Sequence, residues 1–229
     1  MNLIELAQKV SDETVGPRPE TFKGDLEPVA LSLLEAINAA GNSIVRGLNN
    51  PDLMRLAEID SVSSRGDLVA TEQQFPKNFN RFEDRTIHDD EGRFYDGPLR
   101  LRDYIQVSKT DKFVAAYYNK EIHVTPWTKK IYFGYYHLGW GRGKRRGTSG
   151  IDEEVELTEL SQDEDTFIVD ERLLQITAKY YLLSSLGQDA SLALSEVQEL
   201  SKTLKQNYSY DSRPFADIPD RPIRYRYGM

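Results

Sequence analysis

The sequence predicts an α+β chain: a helical bundle formed by N- and C-terminal helices, an inserted β-rich segment, and an extended C-terminal arm. Three observations predict it. Apolar residues recur at helical spacing over 1–56 and again over 166–206. Residues 57–165 hold short runs of Val, Ile, Tyr and Phe cut by turn residues such as Asp96-Gly97-Pro98. The final stretch 207–229, NYSYDSRPFADIPDRPIRYRYGM, carries three prolines, five aromatics and four arginines with neither period along its length.

Each element has a local cause. Asn2 followed by Glu5 is a capping-box spacing, and Leu3, Leu6, Ala7 and Val10 share a helical face. After the loop VGPRPETFKG, Asp25 is the expected cap of a second helix with Pro28 in its first turn. Its apolar face is Leu26, Val29, Ala30, Leu33, Leu34, Ile37, Ala40, Ile44, Val45 and Leu48, and it stops between Gly47 and Pro51. In the insert, FVAAYYN, EIHVTP and KKIYFGYYHLGW predict a three-stranded meander turning at Asn119-Lys120 and at Trp127 to Lys129, with Leu99 to Val107 as a short helix. Asp170 is the expected cap of a helix carrying Leu173, Ile176, Thr177, Tyr180, Leu183 and Leu186, stopped by Gly187. Gly187-Gln188-Asp189 then links it to an antiparallel partner with Ala190, Ala193, Leu194, Val197, Leu200 and Leu204 inward.

Composition narrows the function classes. The chain has 229 residues, of which 39% are hydrophobic, enough for a core. No run approaches the roughly 18 apolar residues of a membrane span, and the N-terminus lacks the pattern of a signal peptide, so use in a cytoplasm and no membrane partner are expected. Zero cysteines exclude disulfides and thiolate metal sites, and His88, His123 and His137 leave little for a metal centre. A net charge of -8 argues against a main task of gripping nucleic acid, which depends on neutralising phosphate.

GWGRGKRRGTSG, Gly139 to Gly150, holds five glycines and four basic residues. It fails the Walker pattern, because Gly143-Lys144 is followed by Arg145, and its glycine spacing fails the dinucleotide fingerprint. What remains is a flexible basic loop, Arg142, Lys144, Arg145 and Arg146, that touches DNA phosphate, touches an acidic protein surface, or is simply solvated. Ile151 to Glu171 follows with ten carboxylates and no Lys or Arg, so intramolecular or intersubunit pairing with the loop is expected. His88 beside Asp89, Asp90 and Glu91 reads as a polar turn, and His123 as a strand residue. No nucleophile is arranged with a base, so no catalytic residue, metal or cofactor is assigned. In the tail, Tyr208, Tyr210, Arg213, Phe215, Arg224, Tyr225, Arg226 and Tyr227 are the residue types that anchor interfaces.

The order of these pieces resembles the head-to-tail adaptor (connector) proteins of tailed bacteriophages over most of the chain. The resemblance rests on several elements in one order. They are an amphipathic first helix, a Pro-containing loop, the long helix with LLEAINAAGNSIVR (Leu33 to Arg46), and Phe75-Pro76-Lys77-Asn78-Phe79-Asn80-Arg81. Gly97-Pro98, the aromatic strand IYFGYYHLGW, the acidic approach to Asp170 to Leu174, and the link at Gly187 to Asp189 follow. The resemblance implies a dodecameric ring in the virion neck, beneath the portal protein and above a nozzle or tube protein of the tail. It further implies C-terminal arms reaching the portal and a lumen that DNA crosses during ejection. The alternative reading is a nucleic-acid-binding protein using the basic loop and the Tyr/Arg tail.

Overall fold

The computed structural model describes residues 1–14, 18–24, 27–61, 68–110, 112–147 and 151–211, with side chains through Tyr208. Its helices are α1 (Leu3–Asp12), α2 (Pro28–Gly47), α3 (Leu101–Val107), α4 (Glu171–Ser185) and α5 (Ser191–Asp211). Its strands are β1 (Met54–Asp60), β2 (Leu68–Thr71), β3 (Phe79–Phe82), β4 (His88–Asp89), β5 (Asp96–Leu99), β6 (Val114–Tyr118), β7 (Glu121–Thr125), β8 (Lys130–His137), β9 (Gly141–Arg146), β10 (Asp152–Leu157) and β11 (Thr166–Phe167). The fold is α+β. Two compact units share the chain, one built from Met1–Leu53 and His137–Tyr210, the other holding Met54–Tyr136. The insert was expected at 57–165; the second unit stops at Tyr136, so β9 to β11 and the acidic stretch belong with the helices.

The first unit is organised by local caps and one packed face. Asn2 accepts from the Glu5 N–H at 2.9 Å while Glu5 Oε2 accepts from the Asn2 N–H at 2.9 Å, closing the expected capping box. Leu3, Leu6, Ala7 and Val10 are buried. Helix α2 begins at Pro28 with Glu27 as its cap residue, and Asp25, the expected cap, lies outside the described residues, as does Leu26. Leu33, Ala36, Ile37, Ala40, Ile44 and Val45 form its buried face, whereas Leu34 is only half-buried. By length and composition alone α2 could cross a membrane, but it packs against α4, as a core helix does. Asp170 Oδ1 accepts from the Leu173 N–H at 2.7 Å, which starts α4. Gly187, at φ +67°, ends it: its N–H reaches Ser184 O and the Gln188 N–H reaches Leu183 O, a Schellman pair.

The second unit holds two sheets around one core. One has the order β2-β7-β6-β5; the other has β1-β8-β3, with β4 also on β8. Asn119 and Lys120 take φ of 51° and 64°, the left-handed pair of a tight hairpin turn, and join β6 to β7 as expected. The meander stops there. The free edge of β7 is taken by β2, and β8 crosses to the other sheet, where it lies antiparallel to β1. Ile59, Val69, Ile87, Ile122, Val124, Ile131 and Phe133 fill the core between them. The rings of Phe75, Phe79 and Phe82, from the FPKNFNR stretch and β3, cluster with Tyr117 and Phe133 at centroid distances of 4.8 to 6.5 Å. His88 and Asp89 open the polar turn read from sequence. Asp89 is buried and accepts from the Glu91 and Arg93 N–H groups at 3.0 and 2.9 Å and from Arg93 Nε at 2.6 Å. His123 lies in β7, stacked on Tyr118 at 4.3 Å.

Candidate functional site: a charged hairpin and the helix leading to the C-terminal segment

The glycines of the basic segment are there for packing. Trp140, fully buried, donates from Nε1 to Thr158 O at 2.9 Å and Asn42 Oδ1 at 3.3 Å, and its ring lies so close on Gly41 of α2 that a Cβ there would overlap it. A Cβ at Gly141 would overlap Leu160, and one at Gly143 would overlap the Asp165 carboxylate. The segment expected to be a flexible loop is therefore the strand β9, held between β10 and β11. Glycine content was read as freedom, whereas here it permits close approach.

Register decides what the charges do. Arg142, Lys144 and Arg146 stand directly opposite Glu156, Glu154 and Asp152 and share one face of the hairpin. Acidic and basic rows therefore run side by side within one chain, so each row offsets the field of the other. Arg145, between them, points to the other face, where its Nη1 and Nη2 grip Asp165 at 2.8 and 2.7 Å. The same guanidinium donates to Gln162 Oε1 and Ser161 Oγ, both at 3.1 Å, and to Lys144 O at 3.0 Å.

Asp165 is 1% exposed and also accepts from the Ser161 and Gln162 N–H groups at 2.8 and 2.9 Å. Burial pushes its carboxyl up; the Arg145 guanidinium and the two backbone donors outweigh that and hold it below the usual aspartate value. The turn it anchors is a hub for the first unit. Leu3 and Ile4 of α1 donate to Asp165 O and Asp163 O, and the Asp163 carboxylate accepts from Phe22 N at 2.6 Å and Thr21 Oγ1 at 2.7 Å. Asn38 of α2 exchanges two hydrogen bonds with the Leu160 backbone. Sequence reading took Asp163 and Asp165 only as members of a charge run; the usable signal was Ser161-Gln162-Asp163, a turn-forming cluster placed just before a strand.

Helix α5 runs to Asp211, so Tyr208 and Tyr210 are helical and do not belong to the extended arm expected from 207. Of the inward face expected for α5, Ala193 is buried, Val197, Leu200 and Leu204 are half-buried, and Leu194 is exposed; Leu192 is 72% exposed. Arg172 Nη2 of α4 stands 4.0 Å from Glu196 of α5. Tyr208 is half-buried, and burial first, then the charges of Asp170 and Asp52, pushes its hydroxyl up. Arg213, Phe215, Arg224, Tyr225, Arg226 and Tyr227 lie outside the described residues. Among the described residues no three His, Asp or Glu side chains converge as metal ligands would.

No protein-family model matches the chain, and no curated protein matches it.

Proposed function

We propose that the chain is a structural head-to-tail adaptor of a bacteriophage virion, forming a dodecameric ring that joins the portal protein to a nozzle or tube protein of the tail. The observation that carries this reading is the succession of elements along the chain. A capped amphipathic helix, a long buried helix, a β insert closed by an aromatic strand, and an Asp170-capped helix ending at Gly187 follow in the order the resemblance requires. Helix α5 supports it further, because the Pro, Arg and Tyr segment assigned to portal docking follows it directly in sequence. Extended arms rich in such residues dock with few anchors, and a ring multiplies their effect. The nucleic-acid alternative is disfavoured by the hairpin register, since a row of carboxylates lies against the row of cations that would meet phosphate. Electron microscopy of the purified chain mixed with its portal tests the reading: a ring stacked coaxially on the portal is expected, and two separate species at high concentration would overturn it.

A further inference from the structure

The face of the hairpin that carries the charged rows is turned outward. Arg142, Lys144 and Arg146 of β9 and Asp152, Glu154 and Glu156 of β10 are all exposed. The opposite face is packed: Gly141 and Gly143 lie against Leu160 and Asp165, Arg145 is tied to Asp165, and Val155 and Leu157 are half-buried. The rows are therefore mounted on a backbone already fixed from behind, which lowers the ordering cost of binding through them.

Register sets Lys144 opposite Glu154 and Arg146 opposite Asp152, yet neither pair closes into an ion pair. Among the described residues, the side chains of Arg142, Lys144, Arg146, Asp152 and Glu154 take part in no hydrogen bond or ion pair. Along each row like charges recur at every second residue, about 7 Å apart, and repel one another. A facing row of the opposite sign is what each row lacks.

Sign narrows the partner. A nucleic acid or a wholly acidic protein surface meets its own sign in the β10 row, and a wholly basic surface meets its own in the β9 row. A second copy carries both rows at the same spacing. With the two faces together about a two-fold axis that runs along the strands between the rows, Lys144 of each copy lies over Glu154 of the other, and the outer positions follow in register. A two-fold across the strands would stack like on like, so the charges select one arrangement. We propose that the outward face of the β9–β10 hairpin docks on the same face of a second copy of this chain, each basic row on the other's acidic row. The contact is small and polar, so the pair is weak, with a dissociation constant on the order of 100 μM at low salt. An isologous pair is closed, so the inference concerns the free chain and goes beyond the adaptor reading, neither needing nor building the proposed ring.

Sedimentation velocity of the full chain, without portal, tests the pairing. Across roughly 10 to 300 μM protein at low salt a monomer–dimer equilibrium is expected, weakened roughly tenfold in about 1 M salt, where the screening length falls to about 3 Å. Lys144→Glu and Glu154→Lys should each weaken the dimer severalfold, because the central contacts become like-charged. An equimolar mixture of the two variants should recover the dimer, since each supplies the sign that the other lacks. The chain carrying both Lys144→Glu and Glu154→Lys keeps opposite signs across the hairpin and between copies, so it should fold and dimerise as the parent does even where a single variant loosens the hairpin. Monomer throughout the range, a dimer indifferent to salt or to the single variants, no recovery in the mixture, or species larger than a dimer would overturn the proposal. A failed dimer leaves the adaptor reading standing, and failed portal binding leaves the dimer standing.

Discussion

Replacing Arg145 with Ala removes both guanidinium donors from a carboxylate that is 1% exposed. Removing one member of a buried ion pair costs about 3 to 5 kcal/mol, because the remaining charge stays desolvated. Asp165 keeps its Ser161 and Gln162 N–H donors and the Arg145 side chain is itself 27% exposed, so the lower end, about 3 kcal/mol, is expected. With a urea m-value of about 2 kcal/mol/M, the midpoint followed by far-ultraviolet circular dichroism should fall by about 1.5 M. Arg145→Lys should lose less, since it keeps the charge but not the two-pronged geometry. The pH dependence has a definite sign. Asp165 is held below its unfolded value in the folded chain, so its contribution is complete above the unfolded value and is lost as pH falls through the folded one. Removing Arg145 raises the folded value, and acid unfolding of the variant should begin at higher pH than in the parent. A loss under about 1 kcal/mol, the range of exposed ion pairs, with an unchanged acid limb would refute the assignment of Arg145 as the anchor of this turn.

Four further outcomes are expected. Gly41→Ala should destabilise by about 1 to 3 kcal/mol through overlap with the Trp140 ring, and a melt equal to the parent's would show that the ring can move aside. Leu173→Ala should cost about 2 to 5 kcal/mol while Leu34→Ala, half-buried, costs clearly less; equal costs would mean that the α2 face is misassigned. Deleting Ser212 to Met229 should leave the melting temperature unchanged but abolish cosedimentation with portal rings, and equal binding by the truncated chain would refute the assignment of this segment to docking. Reversing Arg142, Lys144 and Arg146 to Glu, with Arg145 kept, should weaken ring assembly more at low salt than at high salt; assembly indifferent to the change would exclude β9 from subunit contacts.

Much of the helical unit was legible because its signals are local. Asn2 with Glu5, Asp170 three residues before Leu173, and Gly187 after the last turn each act within one helical turn, and all three occur as read. Pairing across long sequence separations was not legible. Nothing in EIHVTP says that its second edge belongs to Leu68 to Thr71, so the three consecutive strands were joined by proximity in sequence, and β8 was misplaced. The same limit governs the basic segment, where the groups that require glycine at 141 and 143, Leu160 and Asp165, lie 19 and 22 residues downstream and fold back from a turn that charge content concealed. The acidic run was legible as a partner of the basic one, yet only register separates the ladder residues from Arg145, which is held inside the first unit. Tyr208 and Tyr210 were grouped with the tail by their aromaticity, although no proline interrupts the helical stretch until Pro214.

The first unit is discontinuous, and that has a consequence during synthesis. The apolar faces of α1 and α2 leave the ribosome early, but the α4 surface that covers α2 ends at Leu182, more than 130 residues after Leu48. At the usual pace of translation that interval is on the order of 10 s, far longer than hydrophobic collapse requires. The segment Met54–Tyr136 emerges complete in the meantime, with its own core, and can fold while the nascent helices wait. Those waiting helices are what a chaperone would bind, and codon changes that slow elongation between residues 137 and 182 should lower the soluble yield of the full chain while leaving the yield of the isolated 54–136 fragment unchanged.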